Sequence, residues 1–460
     1  MTTQAEAADA LATAPPADLP VSDRQRILIY LSVLVFVIGF AAPNAGLIDI
    51  PISFFLKNRL HLKAQEVAIF RLIAGLPLYI GFLWGFARDT WNPFGLRDRG
   101  YMMLFGAIGA VLYAVFAFVP ASQPSLILAV VTLTAAFLFV QSAQTGLGAT
   151  IARQHVMTGQ MSSALNVAAS IAGLIPLFLG GYLSTFLEGE KAEIAARILF
   201  LTGGVAMAAV AIYAAWRPRV VYDNVHSESR EFHPLQDFAR LFRHWPVYPA
   251  LLIWFLWNFA PGSVTPLQYY LQDTLKAPDY VYTNWYALFG GFFIPTFLLY
   301  GALCRKVKLR TLLVWGTVAA VPQMALLLFA KTVILSYAAA IAAGLMGGVA
   351  TAAYLDLIIR SCPKGLEGTI VMASNALYFL VSRAGDLLGT TLYDNGKHYS
   401  TLVFGQRLGG SLFQHFGGFG ICVVAITVVY ALILPTLLLV PRRLTATPDG
   451  VAPEGGFDQQ

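Results

Sequence analysis

The chain has 460 residues, of which 57% are hydrophobic and only 12% charged, about half the charged share of a soluble domain. The apolar residues gather in runs of roughly 20, the length that crosses a bilayer. This excludes a soluble globular protein and predicts an all-α polytopic membrane protein. The formal net charge of +6 is spread over short loops, so it is a topology signal rather than a nucleic-acid footprint.

Residues 1–23 are Ala/Pro-rich and lack the short apolar core of a signal peptide. They are expected to be a disordered tail before an uncleaved first helix. Twelve spans follow, each end good to about three residues: 27–56, 65–87, 100–119, 124–150, 160–187, 195–215, 246–271, 282–303, 309–330, 333–358, 366–393 and 415–440. The longest polar interruption, 217–244, divides them six and six. The expected units are a bundle over 24–216, a central loop over 217–244, a second bundle over 245–441 and a tail over 442–460. Lys and Arg favour the loops on the side of the termini by roughly two to one, which places both termini in the cytoplasm.

The halves repeat. Pro51-Ile-Ser-Phe-Phe-Leu-Lys-Asn-Arg-Leu60 aligns without gaps to Pro266-Leu-Gln-Tyr-Tyr-Leu-Gln-Asp-Thr-Leu275, and Phe40-Ala-Ala-Pro43 answers Phe259-Ala-Pro261. Spans five and eleven share a spacing, Asn166 to Gly180 and Asn375 to Gly389. Repeated halves with Pro/Gly-interrupted first helices mark a secondary transporter. Two pseudo-symmetric six-helix bundles facing each other across a cavity are expected.

Ionisable groups inside spans are costly and mark candidate sites. Asp49, between Gly46 and Pro51, sits where the proline frees a backbone carbonyl. It is either a proton carrier or a group in outer-face water. Arg71 lies one turn into span two and can snorkel to the surface. Arg383 and Asp386, three apart, share a face of span eleven. They are either an anion-binding arginine with a proton-carrying partner, or a self-neutralising pair. Gln141 and Gln144 of span four, with Asn258 and Gln268, are candidate substrate contacts. Asn166, Asn284 and Asn375 supply further hydrogen-bonding groups, the repeat-related Asn166 and Asn375 more as helix glue. Asp356, four residues before Arg360, is expected to form an inner-gate ion pair. Trp254, Trp257, Tyr269, Tyr270, Tyr282, Trp285 and Tyr286 crowd spans seven and eight, where inward-facing rings can stack on a planar solute.

The loop between spans two and three carries a second set of gating candidates. Gly85 lets two helices approach, Asp89 can cap a helix or pair with an arginine, and Arg97 and Arg99 hold the loop inside. Cys304, Cys362 and Cys422 are isolated, and the histidines show no metal spacing. No Walker loop or nucleophile elbow is visible. Neither a cofactor nor an enzymatic activity is expected.

Gly85 to Tyr101, with its Asp-x-x-x-Pro-Phe-Gly form, resembles the corresponding loop of major facilitator superfamily transporters of the folate–biopterin branch. Ile52 to Val67 is similar to the first-to-third helix region of that branch. Arg360-Ser-Cys-Pro-Lys-Gly-Leu-Glu-Gly-Thr369 resembles its turn into helix eleven. The resemblance implies proton-coupled movement of pterin- or folate-like solutes by a monomer in the bilayer of a bacterial inner membrane. The chain departs from the family pattern at Gly81-Phe-Leu-Trp-Gly85, where a lysine-bearing run is usual. Phe-Leu-Trp followed by Asp89 also resembles muropeptide permeases of the same superfamily. A non-transporting assembly factor for pigment–protein complexes is the alternative of another class. Buried Asp49, Arg383 and Asp386 weigh against it.

Overall fold

A computed structural model describes residues 19–43, 48, 52, 56, 70–120, 122–187, 192–223, 243–278, 280–330 and 332–451. Asp49, the central part of the 217–244 loop and almost all of Pro51–Leu60 lie outside them. Among the described residues the structure is helical, with no strand, and seven helices are long and apolar enough to cross a membrane.

The first half contains α1 (Val21–Phe40), α2 (Gly81–Thr90), α3 (Asp98–Phe118), α4 (Gln123–Gln154), α5 (Thr158–Leu187) and α6 (Ala192–Ala215). The second contains α7 (Val247–Asn258), α8 (Tyr280–Gly291, continued by Phe293–Leu303), α9 (Leu309–Ala320), α10 (Val333–Ser361), α11 (Glu367–Asp394) and α12 (Phe419–Ala431). In a bilayer, lipid is as apolar as leucine, so helices associate through small residues that bring backbones together. Gly106 and Gly109 of α3 accept Ala211 and Met207 of α6, Gly39 of α1 meets Ala172 of α5, and Gly316 of α9 meets Ala350 of α10. Tyr30 of α1 stacks on Tyr213 of α6 with ring centroids 4.7 Å apart.

Helix starts follow local chemistry. Ser122 and Ser125 form a reciprocal capping box before α4, and Thr332 accepts from the Leu335 amide to start α10. Between α2 and α3, Phe94, Gly95 and Arg97 have positive φ, and Asn92 Oδ1 accepts the Arg97 amide at 2.6 Å.

Three expectations need correction. Span seven is not one helix over 246–271. α7 ends at Asn258, and the chain restarts as Thr265–Tyr269, followed by a single π turn, Tyr270–Thr274. Pro261 and Pro266 cannot donate to a helix ladder, and Gly262 has φ +104. Residues 394–414, left between spans eleven and twelve, are mostly helical: Gly396–Phe416 forms a helix bent at Gly405 (φ 75, ψ 171). The tail expected at 442–460 is docked as far as Asp449, with Leu444, Thr445 and Asp449 buried.

Candidate functional site

The two halves meet most closely on the face bearing the α2–α3 turn, the α4–α5 turn, the α10–α11 turn and the C-terminal segment. Gly85 lies against the start of α11. A Cβ there would strike the Gly368 carbonyl and stand 2.7 Å from Thr369 Cα. Asp89, its side chain fully buried, accepts from the Gly368 and Thr369 amides at 3.2 and 2.7 Å and from the Thr369 hydroxyl at 2.6 Å. One carboxylate thereby caps the helix of the opposite half and complements its dipole. Arg88 donates to Asp89 at 2.7 Å and holds Asp98 through Nε and Nη2. Arg99 donates to the Ala214 and Ala215 carbonyls at the end of α6. Arg97 is exposed at the turn.

A second cluster sits at the α10–α5 contact. Arg360, 2% exposed, donates from Nε to Asp356 at 2.8 Å and to the Thr158 hydroxyl at 2.9 Å, and from Nη1 to the Leu444 and Thr447 carbonyls. Tyr300 donates to Asp356 at 2.7 Å. Arg153 of α4 pairs with Glu367 of α11 at 2.9 Å, again across the halves. Arg88, Arg153, Glu367 and Asp449 were not singled out from the sequence. The Cys-Pro-x-Gly-x-Glu motif contained Glu367, but nothing pointed to its partner.

The other candidates lie elsewhere. Arg383 and Asp386 do not pair. Asp386 accepts from the Thr265 amide at 2.9 Å and its hydroxyl at 2.8 Å, capping the restart of the broken seventh span. Gly385 and Gly389 pack against Ala260 and Gly262 of the same break. Arg383 is exposed and, among the described residues, has no carboxylate within 4 Å. It follows Met372 by eleven residues and Ala376 by seven, so it shares the α11 face on which those two meet Gly81 of the first half. Tyr286 and Tyr378 are 37% and 42% exposed. The Tyr286 ring lies 5.7 Å from that of Tyr282, with Tyr378, Tyr430 and Asp386 in its neighbourhood, and Tyr378 neighbours Arg383. Asp386 thus neighbours Tyr282 and Tyr286 of α8, and Arg383 neighbours Tyr378 of its own helix.

Gln144 is 3% exposed, and its amide nitrogen has no partner among the described residues. Gln141 and Gln268 are half-buried. Asn258 donates to the Trp254 carbonyl and Asn166 to the Ser162 carbonyl, each within its own helix. Asn375 reaches only the Met372 sulfur, at 3.9 Å, and Asn284 the Tyr337 hydroxyl. Trp257 stacks on Tyr430, and Trp285 on Phe289. Among the described residues, no group of three or more His, Cys, Asp or Glu side chains is placed to hold a metal.

This arrangement matches known proteins in fold and partly in sequence. Residues 157–385 match the family model of the Major Facilitator Superfamily. The chain belongs to the major facilitator superfamily. It is 24% identical over 398 residues to a folate-biopterin transporter of Synechocystis sp., covering 78% of this chain and 72% of that one. The fold is similar to that of the proton:xylose symporter XylE bound to 6-bromo-6-deoxy-D-glucose. That match has a TM-score of 0.59 and 12% identity, covering 89% of this chain and 96% of that one. It is equally similar to the human organic anion transporter TETRAN, with a TM-score of 0.59 and 15% identity, covering 91% and 100%. The major facilitator fold places the paired halves in a multi-pass integral membrane transporter.

Proposed function

We propose that this major facilitator protein moves a small polar or anionic solute, planar and heterocyclic in the manner of a pterin or folate, by alternating access coupled to protons. The observation that carries the reading is Arg383: an exposed guanidinium near the Tyr378 phenol, one turn from Asp386, which is occupied elsewhere. A planar guanidinium fork binds a carboxylate or an acidic ring edge in two places, and phenols offer both ring faces and hydrogen bonds to a flat solute. The relative from Synechocystis supports the solute class. Gln141, Gln144, Gln268 and Asn258 complete the proposed contacts. Asp386, and Asp49 outside the described residues, are the proposed proton carriers. Gly85, Asp89, Arg97, Arg99, Asp356 and Arg360 form the proposed gate.

The test is uptake of radiolabelled pterin and folate into proteoliposomes, with and without an imposed proton gradient. A hydrogen-bonded charged group contributes about 1.5–3 kcal/mol, so Arg383→Ala should weaken binding roughly 10- to 150-fold. Arg383→Lys should recover only part of it, because an ammonium lacks the fork. Equal affinity of wild type and Arg383→Ala would end the assignment.

The gate face is assigned to the cytoplasm by its basic loops. A cysteine at Lys306, which is exposed, should react with an impermeant maleimide only from the cytoplasmic side. One at Ser122, exposed at the opposite end of α4, should react only from outside. The reverse pattern would invert the orientation.

A further inference from the structure

The two halves of the gate use the same chemistry with different connectivity. The offset that relates Asn166 to Asn375 also relates Gly159 to Gly368 and Gln160 to Thr369. The Gly368 and Thr369 amides are capped by Asp89, from the first half's own α2–α3 turn. The Gly159 and Gln160 amides are capped at 3.2 and 3.0 Å by Asp449, from the C-terminal segment. The turn that corresponds to α2–α3 in the second half does not carry the carboxylate. Residues 301–310 there, Gly-Ala-Leu-Cys-Arg-Lys-Val-Lys-Leu-Arg, hold no acid. Cys304, next to Arg305, lies against Gly159, whose Cβ would stand 2.7 Å from that of Cys304. The amide pair therefore faces that turn, but the turn holds no acid.

The C-terminal segment fills the gap and touches both halves. The Asp449 amide donates to the Cys304 carbonyl at 2.8 Å, and the Gly450 amide to the Val156 carbonyl at 2.6 Å. Arg360 donates to the Leu444 and Thr447 carbonyls and lies 3.7 Å from Asp449. Leu444 packs on Val156 of the α4–α5 turn. Burial and the nearby Asp356 push the Asp449 carboxyl up to about 6, opposed by Arg360 and the Gln160 and Gly159 amides. Because α5 and the α4–α5 turn belong to one half, and Cys304 and Arg360 to the other, this face cannot open while all these bonds hold.

We propose that Asp449 is the gate carboxylate of the second half, carried on a detachable C-terminal strap, and that the strap must leave for the cytoplasmic face to open. Asp449 is a positioning residue. It acts on α5 and touches no solute in this arrangement. The inference concerns the gate and is independent of which solute is carried.

The experiment uses the full-length chain in proteoliposomes. Cys362 and Cys422 are replaced by serine, leaving Cys304, 2% exposed under the strap, as one alkylation reporter. In a parallel background lacking all native cysteines, Ser162→Cys reports separation of the halves. Ser162 is fully buried, donating to the Ala352 carbonyl across the α5–α10 contact. Asp449→Ala, and separately a stop after Thr445, should each speed alkylation at both reporters at least tenfold. Arg305→Asp in the Asp449→Ala background should slow the Ser162→Cys reaction again, by supplying an acid to the turn. A purely structural contact would show no such rescue. If the Cys304 reaction speeds but Ser162→Cys stays protected, the strap is a cover and not a gate. Unchanged rates at both reporters, with a normal size-exclusion profile, would also overturn the proposal. If the truncated chain fails to fold, Asp449→Ala alone decides it.

Discussion

Arg360→Ala is expected to be the most destabilising single substitution at the gate. The guanidinium neutralises Asp356 at 2.8 Å, faces Asp449 at 3.7 Å, and also donates to Thr158 and two carbonyls. Alanine leaves two buried carboxyls next to each other without a cation. Removing one partner of a buried ion pair costs about 3–5 kcal/mol, a large part of the roughly 5–15 kcal/mol that keeps a domain folded. The purified variant should lose its monodisperse size-exclusion peak at a temperature the wild type tolerates. Arg360→Lys should be intermediate, because an ammonium keeps the charge but cannot reach four acceptors in a plane. The combination Arg360→Met, Asp356→Leu and Asp449→Asn should regain much of the loss, since the penalty belongs to uncompensated charge rather than to absence of the pair. An Arg360→Ala protein as heat-resistant as the wild type would show that the cluster carries no such strain.

The fold was legible because membrane helices advertise themselves through length and apolarity, and the superfamily through the Gly85–Tyr101 turn. Span seven was misread because Phe259–Val264 carries no charge to interrupt the apolar run. Only Pro261, Gly262 and Pro266 signalled the break, and its stabilising partner, Asp386, lies 121 residues away. For the same reason the Arg383–Asp386 spacing misleads as a sign of pairing. Helical geometry permits the pair, but the unpaired Thr265 amide and hydroxyl compete for the carboxylate and win. Gly396–Phe416 was missed because its mixture of apolar, glycine and polar residues is too wet for a span. Asp449 was invisible for a stronger reason. An acid in a Pro/Gly-rich tail has no periodicity to place it, and the amides it caps lie about 290 residues earlier in the chain.

Gly85→Val is expected to abolish transport while leaving the protein folded. Both neighbours of the missing Cβ are backbone: the Gly368 carbonyl, with its carbon at 2.7 Å, and Thr369 Cα at the same distance. Neither can swing aside as a side-chain tip would, so α2 and α11 must separate by roughly 1 Å to reach ordinary van der Waals contact. That displacement also pulls Asp89 from the Gly368 and Thr369 amides, since the cap is four residues along the same helix. The closed state of this face then loses both its close packing and its carboxylate cap. The open state, in which α2 and α11 are already apart, loses neither. Valine therefore shifts the conformational balance instead of unfolding the bundle, and a carrier held in one state cannot complete a cycle. Counterflow and gradient-driven uptake should both fall to background. A cysteine at Ser162 should become reactive from the cytoplasmic side, and the size-exclusion profile should stay that of the wild type. Gly85→Ala should give a graded version of the same shift, because its single methyl meets the same backbone atoms without the added branches. Gly368→Ala approaches the contact from the other side. Its methyl would stand 2.8 Å from Asp89 Oδ1 and 2.9 Å from Arg88 Cδ, side-chain rather than backbone atoms, so it should impair transport less than Gly85→Ala. If Gly85→Val carries solute at the wild-type rate with Ser162→Cys still protected, the α2–α11 contact is not part of the gate.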